Sequence, residues 1–174
     1  MKAPNLSYPI GKFKQPTLIT EEQLSMWVDQ IAQFPAKLAK EVAHLDDAQL
    51  STLYRPGGWT IRQVVHHVAD SHMNAYIRFK LALTEETPTI RPYDEKAWAL
   101  IPEAQHGDIG VSLQLLTALH QRWVDTLKEM SAEQLERSYY HPADEELVPI
   151  KVATGIYAWH GNHHLAHVVQ AKRG

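Results

Sequence analysis

The 174-residue sequence has no cysteine, which excludes disulfide bonds, thiolate metal ligands and a cysteine nucleophile. It also has no run of about 18 or more apolar residues, the length that a membrane-spanning helix needs. The opening MKAPNLSYPIGKFKQP interrupts its few apolar residues with Pro, Gly and Lys. Neither a membrane span nor a secretory signal is expected, so the cytoplasm is the default location.

A basic block or stripe is also missing. The formal net charge is −3, and acidic and basic residues are interspersed along the chain. The sequence therefore predicts neither a surface that neutralises nucleic-acid phosphates nor a basic helix face that binds membranes. With 44% hydrophobic and 21% charged residues, the composition is that of a folded globular protein, and the length suits one domain spanning residues 1–174.

Helical patterns cover most of the chain. Thr20 followed by Gln23 is a capping-box pattern that predicts the start of a first long helix, which Pro35 should kink or restart before it ends near residue 45. Thr60 followed by Gln63 repeats the pattern and predicts a second long helix over residues 60–83. Apolar periodicity predicts two more long helices, over residues 111–130 and 151–172.

The connecting segments are short. Asp46, Asp94 and Ser131 are N-cap residues that predict short helices, while EETPTIRPY is predicted as a loop and SYYHPADEELVPI as a loop with a brief extended piece. Prolines in residues 1–19 predict an extended arm that packs on the body of the protein. The predicted fold class is all-α: a four-helix bundle with short connecting helices and an extended N-terminal arm.

Eleven histidines in a chain without cysteine are the unusual feature of the composition, because neutral imidazole is the commonest side-chain metal ligand. The last helix contains AWHGNHHLAHVVQ and is apolar over most of its circumference, so it should be central in the bundle. His160 and His164 lie one turn apart, with roughly 5–6 Å between their Cβ atoms, and could bind one ion. The pairs that fit helical spacing equally well are His160/His163, His163/His167 and His164/His167.

The second long helix contributes further histidines in VVHHVADSH. His67 stands at the edge of the apolar face, beside a polar stripe formed by Thr60, Ser71, Asn74 and Arg78. His72 lies within the apolar stripe and competes with His67 for the position of third ligand. His66 points away from this face and is expected to be in solvent.

Other polar residues are weaker candidates. Asn74 and Arg78 could orient an anionic substrate or make interhelical contacts, and Asp70, Glu85 and Glu86 could support a metal ligand or act as a general base. Single histidines are more often hydrogen-bonded structural residues, which is the interpretation for His44, His106, His120 and His141. The tryptophans are interpreted as core residues rather than a substrate pocket; they are Trp27, Trp59, Trp98, Trp123 and Trp159.

Three histidines from two helices would leave a coordination position open for water or substrate, as in catalytic rather than structural metal sites. An ion in such a site lowers the pKa of a bound water or thiol and so supplies a nucleophile.

Long segments of the chain match a known family. These are NLSYPIGKF, YRPGGWTIRQVVHHVADSHMNAYIRFKLALTEETPTIRPYDEKAW, LHQRW, YYHP and YAWHGNHHLAH. Through them the sequence resembles the YfiT branch of the DinB-like metal-dependent proteins over nearly its whole length. The resemblance implies a DinB-like bundle, a homodimer, and one Zn²⁺ or Ni²⁺ ion per subunit held by three histidines. By motif position these are the second histidine of VVHH, His67, and the first and third histidines of WHGNHH, His160 and His164.

The same resemblance implies a metal-dependent hydrolase acting on a small-molecule substrate. Relatives in the wider superfamily transfer low-molecular-weight thiols to electrophiles, so a bacillithiol-transferase-like enzyme with a thiol cosubstrate is an alternative. A further alternative is a non-catalytic, metal-binding stress-response module. That alternative predicts a closed coordination shell with a fourth protein ligand, such as His72 or His163.

Overall fold

The structure, a computed structural model, describes residues 5–173. Its four long helices are α1 (Glu21–Val42), α3 (Ile61–Thr84), α6 (Ile109–Lys128) and α8 (Ile150–Ala171). The short helices are α2 (Asp47–Leu50), α4 (Glu95–Trp98), α5 (Pro102–His106) and α7 (Ala132–Glu136), and a hairpin of β1 (Ser138–His141) and β2 (Glu146–Pro149) precedes α8. Helices α1 and α3 each pack against both α6 and α8, which makes a four-helix bundle and confirms the predicted fold class.

The capping signals mark the helix starts correctly. Thr20 accepts a hydrogen bond from the backbone N–H of Gln23 at the head of α1. At the head of α3, the side chains of Thr60 and Gln63 each accept a bond from the other residue's backbone, as a capping box requires. These bonds satisfy N–H groups that have no partner inside the helix.

Two local features of the structure differ from the predictions. Helix α1 does not restart at Pro35 but continues to Val42, because the ring removes only one helical hydrogen bond and the surrounding helices hold the segment. The segment SYYHPADEELVPI is not mainly loop: it forms an antiparallel hairpin in which Tyr139 pairs with Val148. The positive φ of 55° at Glu145 lies in the turn that joins the two strands.

The described part of the predicted arm, residues 5–19, contains turns but no helix or strand, and it lies along α8. The indole Nε1 of Trp159 donates to the carbonyl of Gly11 at 3.2 Å, and the Gln170 amide donates to the carbonyl of Leu6 at 3.2 Å. Residues 1–4 of the arm lie outside the described residues. No helix within residues 5–173 is long and apolar enough to cross a membrane.

The apolar core consists of two clusters. One includes Trp27, Ile31, Phe79 and Trp123, and the other includes Phe34, Leu38, Val64, Leu116 and Val168. Along α3, α6 and α8 the chain passes from one cluster to the other, and histidines occupy the interval on each helix: His72 on α3, His120 on α6, and His160 and His164 on α8. A layer of imidazole rings therefore lies between two hydrophobic regions.

Candidate metal centre

Three histidines converge from α3 and α8. One ring nitrogen from each of His67, His160 and His164 lies within 4.8 Å of those of the other two. The ring centroids are 4.5 Å apart for His160 and His164, 4.8 Å for His67 and His164, and 5.5 Å for His67 and His160. Imidazole nitrogens gathered this closely could hold one divalent ion between them.

Helix α8, which carries His160 and His164, packs closely against α1. A Cβ atom built on Gly155 would lie 2.7 Å from the Trp27 ring, and one on Gly161 would lie 2.9 Å from the Phe34 ring. Both contacts are too short for a larger residue, so the two glycines allow the helices to approach.

Burial keeps the three rings neutral. Desolvation, followed by the charges of His163 and His167, lowers the pKa of His67 to about 4. Desolvation also lowers the pKa values of His160 and His164 well below the usual value, with neighbouring histidines adding to the effect. A metal ligand must be deprotonated at its binding nitrogen, so all three imidazoles are in the form that binds metal at neutral pH.

A cavity of about 500 Å³ opens beside the three histidines. Its wall is formed by the loop before α3, by α4, by the arm and by α8, through side chains that include Tyr8, Tyr54, Arg55, Trp59, Glu95, Lys96 and Trp159. A site that combines a ligand-sized cavity with convergent polar groups is typical of a small-molecule binding site.

The loop before α3 is shaped by its glycines. Gly57 has a φ of 68°, in the left-handed region that glycine adopts without steric cost. The turn brings the N–H of Tyr54 to 3.1 Å from the carbonyl of Trp59 and presents Tyr54, Arg55 and Trp59 to the cavity. Trp159 was interpreted as a core residue but borders the cavity, and Trp59 borders the cavity while it also packs against a core cluster. Trp27 and Trp123 are buried in the core, as expected.

Glu95 and Lys96 were not singled out from the sequence. They reach the cavity because Asp94 caps α4, its side chain accepting from the backbone N–H of Ala97 at 2.9 Å. Desolvation raises the pKa of Glu95, and the positive charge of Arg78 acts in the opposite direction. The cap at Asp94 predicted the short helix, but only the fold shows which residues of that helix face the histidines.

The polar candidates on α3 lie outside the cavity wall. Asn74 donates to the carbonyl of Asp70 at 2.9 Å, and Nη1 of Arg78 donates to the hydroxyl of Tyr157 at 3.2 Å. Desolvation and the charge of Glu103 raise the pKa of Asp70 to about 6. Among the three, Arg78 is linked to the cavity through its charge, which acts on Glu95.

The acidic loop residues Glu85 and Glu86 lie elsewhere. The carbonyl of Glu85 accepts from Nη2 of Arg137 at 2.6 Å, and Glu86 lines a separate small cavity with Arg137. They do not line the cavity beside the histidines.

The prediction that His66 is solvated was wrong. Its ring is buried, with Nδ1 2.8 Å from the hydroxyl of Ser112 on α6 and Nε2 3.4 Å from the carbonyl of Gly107. The helical wheel places His66 away from the main apolar face, but α5 and the start of α6 cover that second face of α3.

His72 does not join the three ligand candidates. Its ring is fully buried, and its two nitrogens lie 2.8 Å from His120 Nε2 and 3.1 Å from His160 Nδ1. His163 and His167 line the cavity, where His163 stacks on Trp159 and His167 stacks on Tyr54 with 3.9 Å between ring centroids. Within residues 5–173, the group positioned to hold an ion consists of His67, His160 and His164.

Three comparisons place the chain among known proteins. The profile of the DinB superfamily matches residues 30–168. The chain is 50% identical over 173 residues to the metal-dependent hydrolase YfiT of Bacillus subtilis strain 168, covering 99% of this chain and 97% of the relative. It is 52% identical over 166 residues to a metal-dependent hydrolase of Bacillus pumilus strain SAFR-032, covering 95% and 94% of the two chains. The solved structure of Bacillus subtilis YfiT, described as a probable metal-dependent hydrolase with an unusual four-helix bundle topology, superposes with a TM-score of 0.95 at 51% identity, covering 97% of each chain.

Proposed function

Because this chain belongs to the DinB superfamily, among the YfiT-type metal-dependent hydrolases, we propose that His67, His160 and His164 hold the catalytic ion. The observation that carries this proposal is the convergence of three neutral imidazole nitrogens, all within 4.8 Å of one another, beside a cavity of about 500 Å³. Nitrogen ligands suit zinc and nickel, so we propose Zn²⁺ or Ni²⁺, one ion per subunit.

The three protein ligands leave room for a water molecule or a substrate atom. When bound, a divalent ion in such a site acts as a Lewis acid and lowers the pKa of a coordinated water to about 7. The non-catalytic alternative needs a fourth protein ligand, but the nitrogens of His72 already face His120 and His160. His163 is stacked on Trp159. This arrangement favours an enzyme.

The remaining wall residues suggest how the chain itself contributes. We propose that the carboxylate of Glu95 accepts a proton during hydrolysis, since it lines the cavity and its pKa is raised by desolvation. Arg55 and Lys96 would bind an anionic part of a small-molecule substrate, and the rings of Tyr54 and Trp59 would exclude bulk water from it.

Two measurements test this function. Elemental analysis should find close to one equivalent of metal in the wild type and a strong loss in His160→Ala, with the exposed His44→Ala variant as the matched control. Equal metal content in all three proteins would overturn the ligand assignment. Glu95→Gln should keep its metal and lose turnover.

The reaction is tested with an ester, an amide and an epoxide, each offered with and without a small thiol, while product mass is followed. Water addition independent of thiol would establish hydrolysis. Thiol adducts would instead establish the transferase alternative, in which the same three histidines hold the ion.

We further propose a homodimer in the cytoplasm. Size-exclusion chromatography with light scattering would test the dimer, and cell fractionation would test the location.

A further inference from the structure

A chain of hydrogen bonds leads from His160 into the core. Its Nδ1 lies 3.1 Å from Nε2 of His72, and Nδ1 of His72 lies 2.8 Å from Nε2 of His120. The chain ends where Nδ1 of His120 lies 2.6 Å from the backbone carbonyl of Ile31. Each of the four long helices contributes one member, and we call these residues, His160, His72, His120 and Ile31, the histidine chain.

Pro35 explains why a carbonyl is available at the end of the histidine chain. In an α-helix the carbonyl of residue 31 accepts from the N–H of residue 35. Residue 35 is a proline in the middle of α1 and has no N–H, so Ile31 lacks its usual helical donor. A buried carbonyl without a partner is costly, and the ring of His120 supplies the missing hydrogen bond.

The carbonyl fixes the direction of every bond in the histidine chain. A carbonyl only accepts, so His120 carries its proton on Nδ1. Since a neutral imidazole has one N–H, Nε2 of His120 is an acceptor, and His72 must carry its proton on Nδ1. By the same step His160 donates from Nδ1 to His72, which leaves a lone pair on its Nε2.

The rings are neutral because they are buried together. His72 and His120 are 0% and 1% exposed, and the centroids of neighbouring rings lie 4.9 Å and 5.3 Å apart. An additional proton would place a charge in the core and set two N–H groups against each other. Three neutral rings carry one proton each, and the three hydrogen bonds use all of them.

We propose that Pro35, His120 and His72 are positioning residues that fix the tautomer of His160 and direct its Nε2 lone pair to the metal. The proposal rests on the proposed role of His160 as a ligand. In water a neutral histidine prefers its proton on Nε2, the nitrogen that this site needs free. The histidine chain selects the other tautomer before metal arrives, and it holds the plane of the ring. It does from the core what a single carboxylate or carbonyl does for most histidine ligands.

The first test uses the metal-free wild-type protein. Long-range ¹H–¹⁵N correlation spectra of histidine-labelled protein distinguish a protonated ring nitrogen from one with a lone pair. We expect His72, His120 and His160 each to carry the proton on Nδ1 alone. A proton on Nε2 of His160, or a mixture of its tautomers, would overturn the proposal.

The second test separates hydrogen bonding from packing. His120→Phe removes the connection to Ile31, while His120→Gln retains an amide oxygen for His72 and an amide N–H for the carbonyl. We expect His120→Phe to weaken zinc binding by roughly 10–100-fold in a chelator competition, as other losses of a ligand's hydrogen-bond partner do. His120→Gln should recover most of the affinity, and in His120→Phe the spectrum of His160 should show both tautomers.

Phe34→Leu is the matched control. The Phe34 ring contacts both histidine rings, with centroids 5.4 Å from His72 and 5.7 Å from His120, but it has no hydrogen-bonding group. This variant should lower the melting temperature and leave zinc affinity and tautomers unchanged. Unchanged zinc affinity in His120→Phe, or an equal loss in Phe34→Leu, would contradict the proposal.

The tests also separate this proposal from the proposed function. If His160 carries its proton on Nδ1 but His160→Ala binds zinc as well as the wild type, the ligand assignment fails and the histidine chain alone remains. If zinc binding needs His160 but the proton is on its Nε2 in the metal-free protein, the histidine chain fails and the metal site remains. The wild-type spectrum decides the tautomer even if His120→Phe does not fold.

Discussion

The cavity histidines, His67, His160 and His164, and the core histidines, His72 and His120, have the same side chain, and burial lowers the pKa in both groups. They differ in what their nitrogens meet. Both nitrogens of each core histidine have a partner inside the protein, whereas the cavity histidines bring one nitrogen each to a common point. Partners therefore separate a structural histidine from a candidate ligand better than burial does.

His160 belongs to both regions, because its Nδ1 faces His72 and its ring borders the cavity. This suggests a division of roles in which the hydrophobic clusters and core histidines carry stability and orientation, while the cavity side carries metal and substrate. The following variants test that division, starting with the largest expected effect.

Phe79→Ala should have the largest effect on stability. Phe79 is fully buried in the core cluster that includes Trp27 and Trp123, and its ring centroid lies 5.1 Å from that of Trp123. Removing a buried phenylalanine side chain costs about 3–5 kcal/mol of unfolding free energy. Urea unfolding should show this loss, and the folded variant should retain its metal. Loss of metal without loss of stability would contradict the division.

His67→Ala should lower metal affinity and leave stability nearly unchanged. We expect zinc affinity to fall by at least about 100-fold, because one of three ligands is lost and the other two cannot complete the site. The metal-free protein should unfold close to the wild-type urea concentration, since the His67 ring borders the cavity.

His66→Ala is the matched control, one residue earlier on α3. It removes the contact with the hydroxyl of Ser112 and should lower stability by roughly 1–3 kcal/mol, because a buried polar group loses its partner. Its zinc affinity should equal that of the wild type. If His66→Ala released zinc as His67→Ala does, the difference between the two faces of α3 would not hold.

The sequence predicts the helices well and their surroundings poorly. The capping signals at Thr20 and Thr60 reflect local hydrogen bonds, which depend only on residues three positions apart. The burial of His66 depends on α5 and α6, which lie some 40 residues later in the chain and whose packing no local pattern specifies. The interpretation of His66 as solvated was therefore wrong although the helix itself was right.

The site shows the same limit. Helical spacing left His72 and several pairs on α8 open, and the family motif selected the three histidines that the structure brings together. Neither spacing nor motif indicated that Pro35 would leave the carbonyl of Ile31 free for His120. The contact between Ile31 and His120 joins residues 89 positions apart. Glu95 was missed for the same reason, since its position in the cavity wall is a property of the tertiary structure.

Acid should destabilise the metal-free protein through its core histidines. Desolvation lowers the pKa of His120 to about 4, from 6.5 in the unfolded chain. Between these values the unfolded state binds more protons, so the unfolding free energy should fall as pH falls from about 6.5 towards 4. His120 alone should contribute about 2–3 kcal/mol of this loss.

Urea unfolding in the presence of a chelator at pH 7.5, 6 and 5 measures the effect. In His120→Phe the pH dependence over this range should be weaker than in the wild type, even though the variant is less stable at every pH. An equal slope in the two proteins would mean that His120 does not resist protonation in the folded state.

Asp70→Asn should have the smallest effect and the opposite sign. Desolvation, with the charge of Glu103, raises the pKa of Asp70 to about 6 from 3.8, so the folded state binds more protons between these values and stability is lost as pH rises through them. The variant should be more stable than the wild type at pH 7.5 by less than about 1 kcal/mol, because solvent screens a partly buried carboxylate. This advantage should disappear near pH 4, and Asp29→Asn, at an exposed position on α1, should show none. Since Asp70 does not line the cavity, metal content and turnover should be retained. Loss of turnover with metal retained would instead indicate that Asp70 acts as the general base, although it lies outside the cavity wall.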